Sequence, residues 1–215
     1  MTVRMVVFLS IVIPLICFSQ TEETGFVEKS KGEAAKFTDG ELELIKRGDI
    51  IRQNDRMITL GNGYMKMRFI DNDGFLLFGG ESEASVSMFS FGGIYEKAVS
   101  LVKGSVLASV SNSILRIDAK ESVIEADSAA LYVHSSGDTV RVVCIKGECR
   151  IENAHGEANL KSKEMGIILK EATPYKMIAS EGEIIESIIE NDYETIEIEM
   201  ENQKSQKKRI TLEVR

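Results

Sequence analysis

From Leu101 to Asn153 the chain alternates apolar and polar residues almost without a break, and this pattern leaves few folds open. Val106, Ala108 and Val110, then Leu115 and Ile117, then Leu131 and Val133, then Val140, Val142 and Cys144 fall two residues apart. Successive side chains of a strand point to opposite faces, so each run presents one face to a core. Between the runs stand Lys103-Gly104, Ser136-Gly137-Asp138 and Lys146-Gly147, where glycine supplies the positive φ that a two-residue hairpin or a sharp corner needs. A helix has no use for this period, and the centre of the chain is expected to be antiparallel β-structure.

The same texture extends toward the N-terminus in brief runs, each expected to be a strand of about five residues. Leu42 and Leu44, Ile50, then Ile58 and Leu60 lead to Met65, Met67 and Phe69, with Lys66 and Arg68 between them facing water. Asp71-Asn72-Asp73-Gly74 closes a hairpin. A calcium loop of the EF-hand type needs further acidic ligands and a Glu where this chain continues Phe75-Leu76-Leu77-Phe78, so a turn is the better reading. Lys29 to Ala34, Ile45 to Ile50, Leu101 to Val106, Cys144 to Cys149 and Ala179 to Ile184 each place a polar or charged step before Gly inside an apolar flank. Their spacing is irregular, which indicates repeated strand-corner-strand units rather than a solenoid of fixed period.

A chain of 215 residues holds one ordinary core with extras. Residues 1–19 have one charge, Arg4, then an apolar run from Met5 to Phe18, with Cys17 and Ser19 at the small-residue positions before a cleavage point at Gln20. That is the pattern of a signal peptide, and the run is shorter than the roughly 18 to 20 residues that span a bilayer. Export to the periplasm or beyond is expected, with membrane association if the segment is retained. Loss of Arg4 takes the formal charge from −8 to −9. So acidic a surface repels phosphate backbones and anionic headgroups, which argues against nucleic acid and against a peripheral membrane role.

Residues 20–25 read as a loose linker, 26–180 as an all-β domain, and 181–215 as an extension. In the extension Ser180 and Glu183 form a capping box ahead of Ile184, Ile185, Ile188 and Ile189, which predicts a short helix over 181–191 with a strand as the rival. Thr195 to Met200 and Arg209 to Val214 alternate with period two and predict a terminal hairpin with a basic loop. With Cys17 removed, Cys144 and Cys149 remain, straddling Lys146-Gly147. If that dipeptide is a hairpin loop, the two form a non-hydrogen-bonded cross-strand pair close enough for a disulfide, and export favours oxidation. Reduced thiols and a redox or metal-binding pair are the alternatives.

No catalytic constellation emerges. His134 and His155 sit beside turns; His134 is near Ser135 and Ser136 but no oriented third group or oxyanion hole is signalled, and a surface histidine is expected. The many carboxylates permit no acid and base assignment from spacing. Gly79-Gly80 and Gly92-Gly93 are not followed by a phosphate-loop helix and read as strand corners. No cofactor or metal is expected. One connector stands out: Met88, Phe89, Phe91, Ile94 and Tyr95 are dense in apolar side chains around two glycines. They form either a cap packed over one end of the core, the simpler reading since exposed aromatic clusters are uncommon, or a partner-contact patch.

Several stretches in order resemble the FecR periplasmic domain family: Gly32-Glu33-Ala34, Gly48-Asp49-Ile50-Ile51, Gly63 with Met65 to Ile70, Asp73-Gly74, Leu101 to Leu107, Gly137 to Val143 and Lys146 to Ile151. The likeness covers about Phe26 to Ser180. It departs from the family at Ala130-Leu131-Tyr132-Val133, where a Val-Arg-Gly-Thr strand end is usual, and the regulators' cytoplasmic anti-sigma segment and transmembrane helix have no counterpart here. The resemblance implies an all-β, solenoid-like roll or sandwich of short antiparallel strands. With the expected export, it implies a non-catalytic binding or scaffold module of the cell envelope contacting a protein or glycan. An anchored envelope sensor or an envelope hydrolase are the alternatives.

Overall fold

The structure, a computed structural model, describes residues 23–38, 40–180, 196–201 and 207–212. The expected signal peptide, residues 20–22 of the linker and the expected helix lie outside the described residues. Every described element is a strand: β1 (Glu23–Thr38), β2 (Glu41–Leu44), β3 (Ile50–Arg52), β4 (Arg56–Phe69), β5 (Phe75–Phe78), β6 (Glu83–Phe91), β7 (Ile94–Ser109), β8 (Ile114–Ala119), β9 (Ser122–Ser136), β10 (Thr139–Asn153), β11 (Gly156–Lys161), β12 (Glu164–Leu169) and β13 (Tyr175–Ile178). These thirteen form one sheet. The terminal hairpin expected from the alternation is present as β14 (Ile196–Glu201) and β15 (Lys207–Leu212), paired antiparallel.

Five strands are long, and each changes direction near its middle. The positive-φ residues are Gly32 in β1, Gly61 in β4, Gly104 in β7, Ser128 in β9 and Gly147 in β10. Where separate strands of about five residues were expected, β4, β7 and β10 run through their glycines as single strands. The reason is visible in the register of β10 on β9, where Cys144 faces Leu131, Lys146 faces Ala130 and Glu148 faces Asp127. Residues are left out of the ladder on both strands, and such bulges bend a strand without ending it. Gly147 has φ 86°, and a Cβ there would stand 2.9 Å from the Ser128 carbonyl oxygen, so only glycine fits. Lys146-Gly147 is therefore a corner and not the hairpin loop that would have made Cys144 and Cys149 cross-strand neighbours.

The corners fold the sheet over on itself into two layers. In the first layer the order is β3, the N-terminal half of β1, the C-terminal half of β4, β5, the C-terminal halves of β7 and β9, the N-terminal half of β10, β12 and β13. The second runs β2, the other halves of β1 and β4, β6, the N-terminal half of β7, β8, the N-terminal half of β9, the C-terminal half of β10 and β11. All pairs are antiparallel except β7 with β8. Between the layers lies one core that takes Met65, Met67, Phe69, Val106, Ala108, Leu131, Val133, Val140, Val142 and Cys144 from the first, and Val86, Val99, Leu101, Leu115, Ile117, Ile124 and Ile151 from the second. With Val110, also in this core, these include every residue of the central alternation. Leu42 and Leu44, by contrast, are exposed, because β2 is an edge strand covered on neither face. At the N-terminus β1 starts at Glu23, ahead of Phe26, since Gly25 already pairs with Phe69 and Ile51 and Thr24 is buried.

Among the described residues one charged side chain is buried completely. Lys97 occupies the core-facing period of Val99 and Leu101 and is fully buried. Its ammonium lies 2.9 Å from Asp71 Oδ2 and 3.1 Å from Asp73 Oδ2, donates to the Asp73 carbonyl, and stands 4.6 Å over the Phe69 ring. Asp73 also accepts the amides of Ser111 at 3.0 Å and Asn112 at 3.1 Å and the hydroxyl of Ser113. The Asp71 to Gly74 turn of the first layer is thereby tied to β7 in the second and to the loop leading into β8. The cation that this acidic turn holds is the chain's own lysine. Burial opposes the charge of Asp73, but the hydrogen bonds from Ser113, Lys97 and the two amides outweigh it and hold the carboxyl down at about 2.

Candidate functional site

The outer faces of the two layers differ in kind. Outside the second layer, side chains alternate with the core and are mostly charged. Arg116 lies 2.9 Å from Asp118 and 3.5 Å from Glu125, and Arg150 lies 2.8 Å from Glu125 and 3.4 Å from Glu152 and from Glu157. Beside this ladder runs a second row, Phe89, Glu96, Ile114, Asp127, Glu148 and Lys161, set by successive register pairs. Glu96, Asp127 and Glu148 face solvent, and among the described residues none makes an ion pair.

The row ends at the β6–β7 hairpin. Gly92 and Gly93, with φ of 61° and 84°, make a two-residue loop of the kind that matches strand twist, so Phe91 pairs with Ile94, Ser90 with Tyr95 and Phe89 with Glu96. β4 bonds to β6 no further than Ser85, and β8 meets β7 only from Glu96 onward. The tip therefore stands beyond its neighbours. Met88 points inward and packs against the core. Phe89 is 50% exposed, Ile94 58% and Tyr95 37%. The side chain of Phe91 is outside those described. The expected cap over the core is not what forms: strict alternation in a regular hairpin turns Phe89 outward, and the tight Gly-Gly loop does not fold the segment back over the roll. At its base the hairpin is held by Met88 and by Lys97, which face each other across β6 and β7.

The sought chemistry stays dispersed. His134 is half-buried rather than on the open surface, stacked on Tyr132 with ring centroids 6.5 Å apart and planes 13° from parallel. Ser135 points to the opposite face and is buried, and His155 is exposed on a turn. A cavity of about 140 Å³ at the open edge between the layers is lined by Lys120, Glu121, Asp138, Asn153 and Lys170 among others. It is smaller than the roughly 300 to 1,000 Å³ of ordinary ligand pockets. Cys144 and Cys149 are both buried and both free thiols.

Two features escaped the sequence reading. The Lys97 cluster had one signal, a lysine at the core-facing period of Val99 and Leu101. The other is a second buried cluster, Tyr64, Leu77, Leu107, Tyr132, Val143 and Met165 with Ala179, on the outer side of the first layer. Its signal was runs of three apolar residues, such as Val106-Leu107-Ala108 and Leu131-Tyr132-Val133, where alternation fails.

No family model matches this chain, and no curated protein does. Among solved structures it is similar to a protein from Parabacteroides distasonis provisionally named an anti-sigma factor, at 1.65 Å, with TM-score 0.53, 9% identity, and coverage of 62% of this chain and 64% of that one. A second, from the same organism and named in the same way, at 2.50 Å, gives TM-score 0.41, 12% identity and coverage of 61% and 58%. The chain thus spans less than two thirds of either structure's length. What it shares with the first is the fold of a bent-strand, two-layered β-roll.

Proposed function

We propose that this chain is a non-catalytic, FecR-like binding module of the cell envelope whose contact surface is the β6–β7 hairpin with the acidic row beside it. The observation that carries the reading is Phe89 and Ile94, half or more of their surface open to solvent on a hairpin anchored from below by Met88 and Lys97. A rigid, projecting apolar tip loses little entropy on binding and offers a desolvatable anchor. Glu96, Asp127 and Glu148 extend from it as exposed negative charge outside any close ion pair, which suits a protein segment carrying Lys or Arg beside an apolar anchor. The agreement in fold with the solved structure fits such a module, and the expected signal peptide would place it outside the cytoplasm.

A photo-crosslinking residue at Phe89, compared with one at Glu157 on the charged ladder, tests this in the native envelope. The reading expects an adduct of defined mass from position 89, lost at raised salt and absent from position 157. Equal adducts from both positions, or turnover of peptidoglycan, esters or glycosides by the purified protein, would replace it with another function. The anchored-sensor alternative depends on retention of Met5 to Phe18, which the N-terminus of the mature protein decides.

A further inference from the structure

We propose that Cys144 and Cys149 form a disulfide within a single strand, bridging the inside of the β10 corner. Each central long strand has one last core-facing residue before its corner and one first core-facing residue after it. On β7 these are Leu101 and Val106, on β9 Ala126 and Ala129, and on β10 Cys144 and Cys149, all buried, and five apart on β7 and on β10 alike. The corner carries a strand from one layer to the other, so the two side chains on its concave side converge. On β7 and β9 that convergence is filled by hydrocarbon, and on β10 by two buried sulfurs of the same core cluster. Cys144 Sγ also donates to the Gly147 carbonyl, at 3.4 Å across the bend. Among the described residues no third ligand joins the two sulfurs to make a metal site.

The pair is asymmetric. The hydrogen bond from Cys149 favours the thiolate of Cys144 and lowers its pKa, while the same contact and burial push Cys149 upward. The proton given up first is therefore that of Cys144. Its thiolate attacks an external disulfide, a small-molecule disulfide or that of an oxidoreductase, and one thiol leaves. Cys149, deprotonated in turn, attacks Cys144 Sγ of the mixed disulfide and releases the second thiol. Two electrons and two protons pass from the protein dithiol to the external disulfide, which becomes two thiols.

Trypsin separates the two cysteines, since Arg141, Lys146 and Arg150 delimit Val142 to Lys146 and Gly147 to Arg150. Cys17 lies in neither peptide. The full chain, unfolded in denaturant and refolded in a glutathione redox buffer so that burial cannot shield the thiols, is alkylated under denaturing conditions, digested and analysed by mass. The proposal expects the two peptides joined, two hydrogens lighter than their sum and separating on reduction, with the alkylated forms lost. In Cys149→Ser, Cys144 should instead carry glutathione. Recovery of both wild-type peptides singly, each alkylated or each bearing glutathione, would overturn the bridge and leave two buried thiols standing where β7 and β9 have hydrocarbon.

Discussion

The two outer faces of this roll are made by the same strands and follow opposite rules. On the first layer the cross-strand row Leu77, Leu107, Tyr132, Val143 and Met165 is apolar and buried. On the second, the equivalent row Ala98, Arg116, Glu125, Arg150 and Asn159 is polar after Ala98, and none of it is buried. β9 shows both rules in one strand. Before Ser128 it reads Ile124-Glu125-Ala126, apolar only on the core side; after it, Leu131-Tyr132-Val133, apolar on both. A bent strand thus belongs to two environments, and its residue pattern changes at the corner rather than at a chain break. On the second layer large apolar side chains stand exposed at the hairpin, at Ile114 beside it, and at Leu42, Leu44 and Leu60 toward the β2 edge; the hairpin is the proposed contact surface.

The comparison depends on the joint between the layers, and breaking that joint should have the largest effect. Replacing Lys97 by Met leaves Asp71 and Asp73 facing an apolar interior, and a loss of about 3 to 5 kcal/mol in urea unfolding is expected. Next is the contrast itself. Leu107→Ala on the outer side of the first layer should cost about 2 to 3 kcal/mol, whereas Arg116→Ala on the second should cost at most about 1 kcal/mol, since its ion pairs are open to water. Equal losses would mean that the two faces are not differently covered.

Acid gives a smaller and graded effect. The carboxyl of Asp73 is held at about 2 against an ordinary 3.8. A depressed folded value stabilises the protein above the unfolded pKa, and the contribution disappears as pH falls through the folded one. About 2 kcal/mol should therefore be lost between roughly pH 5 and pH 2. In Lys97→Met this acid limb should be flatter, because one of the groups that lowers the Asp73 value is gone.

Much of this architecture was legible in the sequence. Residues at period two, from Val106 to Cys144, are core residues, and the recurring charged step before glycine marks corners: Leu101 to Val106 and Cys144 to Cys149 share a pattern because they share a bend. What alternation does not state is whether the chain ends its ladder at such a glycine or carries on. A positive φ serves hairpin and bulge alike, so the geometry of the cysteine pair was legible only as one of two forms. Lys97 was hidden for another reason. A charged residue at a core period reads as an outward side chain until the acidic turn that receives it is brought within 3 Å by the fold of the other layer. Phe89 was misplaced by a general expectation about exposed aromatics, which the regular register of its hairpin overrides.

Smallest in stability and largest in consequence is the hairpin. The double substitution Phe89→Ser with Ile94→Ser, followed by thermal unfolding and by the crosslinking yield from a probe at Tyr95, addresses the claim that this tip is a contact surface and not part of the core. Both side chains are already half in water, so the account predicts a change of less than about 1 kcal/mol in stability together with loss of the adduct. A fall of several kcal/mol, or an adduct formed as well as before, would contradict it.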